Sequence, residues 1–244
     1  MALSARRAGH GRPLLALHGN FASSRWWDDL LAEPPGGWEV IAPDLPGFAG
    51  TPTDPDVSIP AYADAVWALM QQEHLHGAVL LGHSLGGAVA LDLAARHKAA
   101  VGGLVLAASA PLGGLHTPEE NYPVLALLQH DDQLRALSIG ALFPTRPPET
   151  LPDLIRDAGR MHPGHYHGNA RALAGWQVDP ARLRGLPALV MGGALDALIT
   201  PAMVREQAEA LGVPPHLLPG GHGFPQEHPQ TFLTELSAFL QTLS

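Results

Sequence analysis

The residues Gly82-His83-Ser84-Leu85-Gly86-Gly87 are the stretch whose types and spacing could do chemistry. An apolar run, residues 77–81, precedes them and an alanine- and leucine-rich run, residues 88–95, follows, so the pattern predicts a strand, a sharp turn and a helix. A serine at the tip of such a turn has strained backbone geometry. Glycines flank it because side chains there would strike the neighbouring strand and helix. A serine hydroxyl is a poor nucleophile unaided. It needs a histidine to take its proton, a carboxylate to orient that histidine, and N–H donors for the negative oxygen that forms. His222 sits in the glycine-rich run Gly220-Gly221-His222-Gly223, directly after the last apolar segment, where the backbone has room to carry an imidazole back towards Ser84. His228 competes for that role, but it precedes Pro229 at a helix start and reads as a surface or capping residue.

Gly-His-Ser-Leu-Gly after one strand, His18-Gly19 after an earlier one, Asp196 after a late one and His222 near the end together resemble the α/β-hydrolase superfamily over nearly the whole chain. The resemblance implies a mostly parallel central sheet flanked by helices, and catalysis by Ser84, Asp196 and His222 in that chain order, unlike the orders of the trypsin and subtilisin types. It also implies oxyanion donors from the backbone N–H of Asn20, the residue after His18-Gly19, and of Leu85, the residue after the serine. The segment Gly192 to Pro201 is similar to the family's acid-bearing loop. The segment Asp44 to Thr51 is similar to the family's Asp-x-Pro-Gly-x-Gly-x-Ser loop, with Ala49 where glycine stands and Thr51 where serine stands. Asp44 reads as a loop cap, because the family places its acid after the nucleophile.

The implied activity is hydrolysis of a carboxylic ester with a small or medium apolar acyl group, through an acyl-enzyme and with neither cofactor nor metal. A C–C bond hydrolase, a lactonase, an aminopeptidase or a cofactor-free perhydrolase would use the same three residues, and a ligand-responsive receptor could keep the fold. Serine at the turn argues against haloalkane dehalogenase or epoxide hydrolase chemistry, for which related folds place aspartate there.

The elements that position these groups are legible in outline. Pro13 to Leu17, Trp38 to Ala42, Gly77 to Leu81, Val101 to Ala108, Pro187 to Gly193 and Pro215 to Leu218 read as strands, and Ser24 reads as the cap of a helix through Trp26, Trp27, Leu30 and Leu31. Helices are also predicted from Ser58-Ile59-Pro60, after the elbow, from Pro201 and from about Pro229. Between about Leu112 and Gly185 strand-like runs stop and prolines multiply. A structureless loop of that length is improbable in a compact domain, so residues 112–185 read as a small helical cap inserted into a core of residues 1–111 and 186–244. Helical stretches within it run from Val124 to Leu128 and from Gln133 to Leu142. Its seven arginines face eight acids, which gives little support to a face that docks acyl carriers or coenzyme A. His18 reads as a structural loop histidine, His83 as a support behind the nucleophile, and Trp26 and Trp27 as core. His162, His165 and His167 have no carboxylate or third ligand fixed at a metal-binding spacing, and read as surface or pocket-lining residues.

Composition bounds the rest. The 244 residues are 46% hydrophobic and 15% charged, below the roughly 25% charged residues usual for soluble domains. No apolar run reaches the ~18 residues that span a bilayer. Met1 to His10 carries two arginines without an apolar core and does not read as an export signal, so a cytoplasmic protein is expected. The absence of cysteine excludes disulfides, thiolate catalysis and cysteine-based zinc sites. A formal net charge of −9 argues against polyanionic partners, so the expected partner is a small-molecule substrate, with neither nucleic acid nor a membrane.

Overall fold

Runs rich in valine, leucine and alanine, too apolar to face water on either side, form the centre of a sheet. In the computed structural model, which describes residues 3–53 and 56–243, seven strands are seen: β1 (Ala5–Gly9), β2 (Arg12–Leu17), β3 (Trp38–Pro43), β4 (Ala78–His83), β5 (Val101–Ala107), β6 (Ala188–Gly193) and β7 (Pro215–Leu218). Met1 and Ala2 of the amino-terminal stretch lie outside the described residues. The spatial order is β1-β3-β2-β4-β5-β6-β7, with every neighbouring pair parallel except β1 and β3. This is the mostly parallel α/β sheet that the sequence implies. Every residue of β4 is buried, as a strand covered by helices on both faces requires.

β1 was not expected. Its exposed Arg6 and Arg7 interrupt any apolar period, and it pairs along the edge of β3, where Arg7 meets Glu39 at 3.0 Å. The helix after β2 also differs from expectation. Ser23, not Ser24, is the cap: its Oγ accepts the N–H of Arg25 over a 3₁₀ turn, Ser24–Trp27, which leads into α1 (Asp28–Ala32). α2 (Ile59–Gln72) begins at Ser58, whose hydroxyl accepts the Ala61 N–H, and buries Tyr62, Val66, Leu69 and Met70. α3 (Leu85–Arg96) starts at the elbow and is buried through Ala94.

Between β5 and β6 lie α4 (Tyr122–Leu127), α5 (Asp132–Gly140), α6 (Leu151–Ala158) and α7 (His165–Ala174). They follow this chain's fifth strand. α8 (Pro201–Leu211), the single turn α9 (Phe224–Glu227) and α10 (Pro229–Gln241) complete the fold, and α10 buries Phe232, Leu233, Leu236 and Leu240. Among the described residues no helix is long and apolar enough to cross a membrane.

One feature of the topology places the site. β2 lies between β3 and β4, so the chain leaves β2 towards one side of the sheet and returns on the other. The loops at the carboxyl ends of β2 and β4 therefore part, and a crevice opens between them.

Candidate active site

Ser84 stands at that crevice, between β4 and α3, with φ 53° and ψ −117°, a conformation that residues with a β-carbon rarely adopt. Its backbone is held from several sides. Its N–H donates to Ala107 at 3.2 Å, and its carbonyl accepts the N–H of Gly87 at 2.9 Å and of Ala110 at 3.0 Å. A β-carbon on Gly82 would collide with the carbonyl of Gly86, and one on Gly86 would collide with the carbonyls of Leu17 and His18. The two glycines thus let β4, α3 and the end of β2 close on the serine.

His222 follows β7 and donates from Nδ1 to Oδ2 of Asp196 at 2.8 Å. Asp196 is buried, and its other oxygen accepts the N–H of Leu198 at 2.8 Å and of Ile199 at 3.0 Å. With Nδ1–H committed to the carboxylate, Nε2 of a neutral His222 keeps its lone pair. Ser84, His222 and Asn20 line one cavity of about 430 Å³, walled mainly by apolar side chains such as Leu125, Leu128, Ile139, Leu142 and Leu173. Asp196 lies behind His222. Leu85 opens α3 with its side chain fully buried. Among the described residues the backbone N–H groups of Asn20 and Leu85 have no hydrogen-bond partner.

His83 supports the arrangement from below. Its Nε2–H donates to the carbonyl of His222 at 2.9 Å, and its ring stacks on Trp26 at 4.3 Å between centroids. Burial, followed by repulsion from His222, lowers the His83 pKa well below the usual imidazole range, so the ring is neutral. His18 is fully buried and also neutral. Its Nε2 accepts the Leu45 N–H at 3.1 Å, its Nδ1 donates to the Gly19 carbonyl at 2.9 Å, and burial lowers its pKa. It thereby ties the loop after β2 to the loop after β3. Asp44 caps that neighbourhood by accepting the Ser24 N–H at 2.6 Å.

His165 departs from expectation. It is neither on the surface nor on the wall of the Ser84 cavity but is buried at the first position of α7, packed edge-on against Phe48, because the tight turn at Gly47 leaves a slot that its ring fills. Among the described residues no cluster of side chains could hold a metal ion. His228 stands at the position before α10 without a side-chain cap bond to that helix, and its Nε2 lies 3.0 Å from the hydroxyl of Thr145. Sequence reasoning missed Glu227, a fully buried carboxylate that accepts the N–H of Gly221, next to His222. The one available signal was an acid five residues after the histidine, in a run otherwise suited to burial.

Residues 14–235 match the alpha/beta hydrolase family. The chain belongs to that family. A pimeloyl-[acyl-carrier protein] methyl ester esterase of Neisseria meningitidis serogroup C is 44% identical to this chain over 108 residues, which cover 44% of this chain and 39% of that protein. The protein of the same name from Aromatoleum aromaticum is 40% identical over 98 residues, 40% of this chain and 37% of that protein. The match thus spans less than half the length of these curated relatives. Among solved structures, a thermophilic esterase from Thermogutta terrifontis gives a TM-score of 0.80 at 26% identity, covering 99% of this chain and 93% of that one. An enol-lactonase from Burkholderia xenovorans LB400 gives 0.88 at 22% identity, covering 98% and 96%, and shows the same hydrolase fold.

Proposed function

We propose that this α/β hydrolase cleaves carboxylic esters through Ser84, His222 and Asp196, with the N–H groups of Asn20 and Leu85 holding the oxyanion. One observation carries the reading: a serine in strained backbone geometry opens on the same cavity as a histidine whose far nitrogen is bonded to a buried carboxylate. His222 Nε2 takes the hydroxyl proton as Ser84 attacks the carbonyl. Asp196 keeps the ring in the tautomer that makes this possible and stabilises the imidazolium. The two N–H groups stabilise the charge on the carbonyl oxygen, each worth on the order of 10²–10³ in rate. His222 then gives its proton to the leaving alcohol, and water, activated by the same ring, releases the acid from Ser84.

Residues 112–185 act in this reading as a cap whose α4, α5 and α7 roof the acyl pocket. The leucine-rich wall favours a small or medium apolar acyl group. The curated relatives are methyl ester esterases by name, which supports an ester as the bond cleaved. In the cap, Arg135, Arg156 and Arg160 each pair with an aspartate three residues earlier, Asp132, Asp153 and Asp157. That interleaving breaks up a basic face, so a free small-molecule ester is favoured over one carried on an acidic protein. The test is steady-state hydrolysis of a graded series of chromogenic acyl esters by the wild type and by Ser84→Ala. Turnover by the wild type and none by the variant is expected. Near-equal turnover would remove Ser84 from the role, and no turnover of any ester by the wild type would remove the ester reading.

A further inference from the structure

The side chain of Asn20 has its own hydrogen bonds, and they lead away from the cavity into α7. Its Oδ1 accepts the N–H of Phe21 at 3.0 Å and the Nδ2–H of Asn169 at 2.8 Å. Asn169 is fully buried on α7, and its Oδ1 accepts the hydroxyl of Tyr62, on α2, at 2.6 Å. Its second Nδ2 hydrogen faces the sulfur of Met161 at 3.7 Å. The direction of each bond in this chain is fixed from one end. A backbone N–H can only donate, so the Asn20 atom beside Phe21 is oxygen. The Asn169 atom beside that oxygen is then nitrogen, and its oxygen faces Tyr62. Burial raises the Tyr62 pKa far above its usual value, which keeps the hydroxyl a donor.

The loop thus held is strained. Phe21 has φ 57°, in the left-handed region that a side chain of its shape disfavours, and the bond from its N–H to Asn20 Oδ1 holds the turn. That bond also occupies the Phe21 N–H, so the Asn20 N–H is the one the turn leaves open. We infer that Asn169 is a positioning residue for the oxyanion: through the Asn20 side chain, α7 holds residues 18–21 in the conformation that presents the Asn20 N–H to the substrate. The inference rests on the ester-hydrolase reading for its chemistry, but its bonds belong to the structure. It gives the cap a second role. Besides walling the acyl pocket, the cap completes the catalytic apparatus when seated.

The test compares the wild type with Asn169→Asp, Tyr62→Phe, Asn20→Ala and the double variant Asn20→Ala with Asn169→Asp. Asn169→Asp keeps the size of the side chain but turns an oxygen towards Asn20 Oδ1, replacing a hydrogen bond by repulsion. Expected is a fall in kcat of about tenfold or more, short of the complete loss of one donor. KM should stay within about twofold, and a boronic acid that mimics the tetrahedral intermediate should bind more weakly by the factor lost from kcat. Asn20→Ala should fall comparably, and the double variant no further, whereas independent structural damage would multiply. A folded Asn169→Asp with kcat within twofold of wild type overturns the inference, as does a multiplicative double variant.

Should Asn169→Asp fail to fold, Tyr62→Phe decides. It removes only the hydroxyl that orients the Asn169 amide, and wild-type kcat with wild-type boronic acid affinity would then overturn the inference. The rate of Ser84 labelling by a fluorophosphonate, whose phosphonyl oxygen occupies the same two donors, separates the readings. A wild type that labels but cleaves no ester removes the ester reading alone, and slower labelling of Asn169→Asp still supports the positioning role. A wild type that neither labels nor cleaves overturns both.

Discussion

Glu227 accepts the N–H of Gly221 at 2.5 Å through one carboxylate oxygen and the N–H of Thr145 at 2.8 Å through the other. The side chain is fully buried, and the Thr145 hydroxyl adds a further donor. The bond joins the loop that carries His222 to the segment that leaves α5. The same two segments meet again where the Gly223 N–H donates to the Leu142 carbonyl at 2.8 Å.

Glu227→Gln is therefore expected to destabilise the protein. Its amide nitrogen must face one of these donors, leaving a buried N–H unmatched at a cost of about 1–3 kcal/mol. Urea denaturation measures the change. An unchanged midpoint would show that the clamp contributes nothing.

Asp196→Asn would leave the outline of the site intact but offer His222 an amide, which favours the wrong ring tautomer. A loss of about 10³–10⁴ in kcat with little change in unfolding midpoint is expected. Steady-state kinetics on a chromogenic ester checks it, and a loss under tenfold would mean that the carboxylate does not set the tautomer.

Gly86→Ala would drive a methyl group into the carbonyls of Leu17 and His18. Relief requires β2 and α3 to separate, which moves Asn20 and Leu85 apart. Expected are a destabilisation of about 1–3 kcal/mol, read by denaturant titration, and a fall in kcat. Wild-type stability would mean that the contact relaxes freely.

Stability should fall in mild acid. His165 is lowered to about 4 by burial and then by repulsion from His162, and burial also lowers His18 and His83. Each stays neutral in the folded chain while the unfolded chain takes up its proton below about pH 6.5. The stabilising contribution is thus complete above pH 6.5 and is lost as the pH falls towards the folded values. Each histidine adds a slope of up to about 1.4 kcal/mol per pH unit. Unfolding free energies at pH 7.5, 6, 5 and 4.5 measure it, and His165→Phe should flatten the curve by one histidine's share. An unchanged slope would show that His165 is not neutral where its partner groups hold it.

The placement of much of the candidate site was legible because the residues proposed to do its chemistry sit in local patterns. The glycines around Ser84, the apolar run before it and the loops that carry Asp196 and His222 are contiguous patterns, and each lands at the carboxyl end of a strand. What escaped reading is pairing across long separations. Asn20 and Asn169 are 149 residues apart, and Thr145 and Glu227 are 82 apart, so no spacing announces either bond. β1 was missed for a different reason: an edge strand needs only one covered face and tolerates arginines, which erases the alternation that betrays a strand. His165 reads as a surface or pocket-lining residue because no third metal ligand stands beside it, and only the slot at Gly47 shows why it is buried.

The central claim is that Ser84 is made nucleophilic by His222. Its most direct measurement is peptide mass spectrometry after brief exposure to a fluorophosphonate, in the wild type and in His222→Gln. The expected result is one adduct, on Ser84, formed rapidly in the wild type and much more slowly in the variant. Absence of an adduct on Ser84, or equal rates in the two proteins, would contradict it.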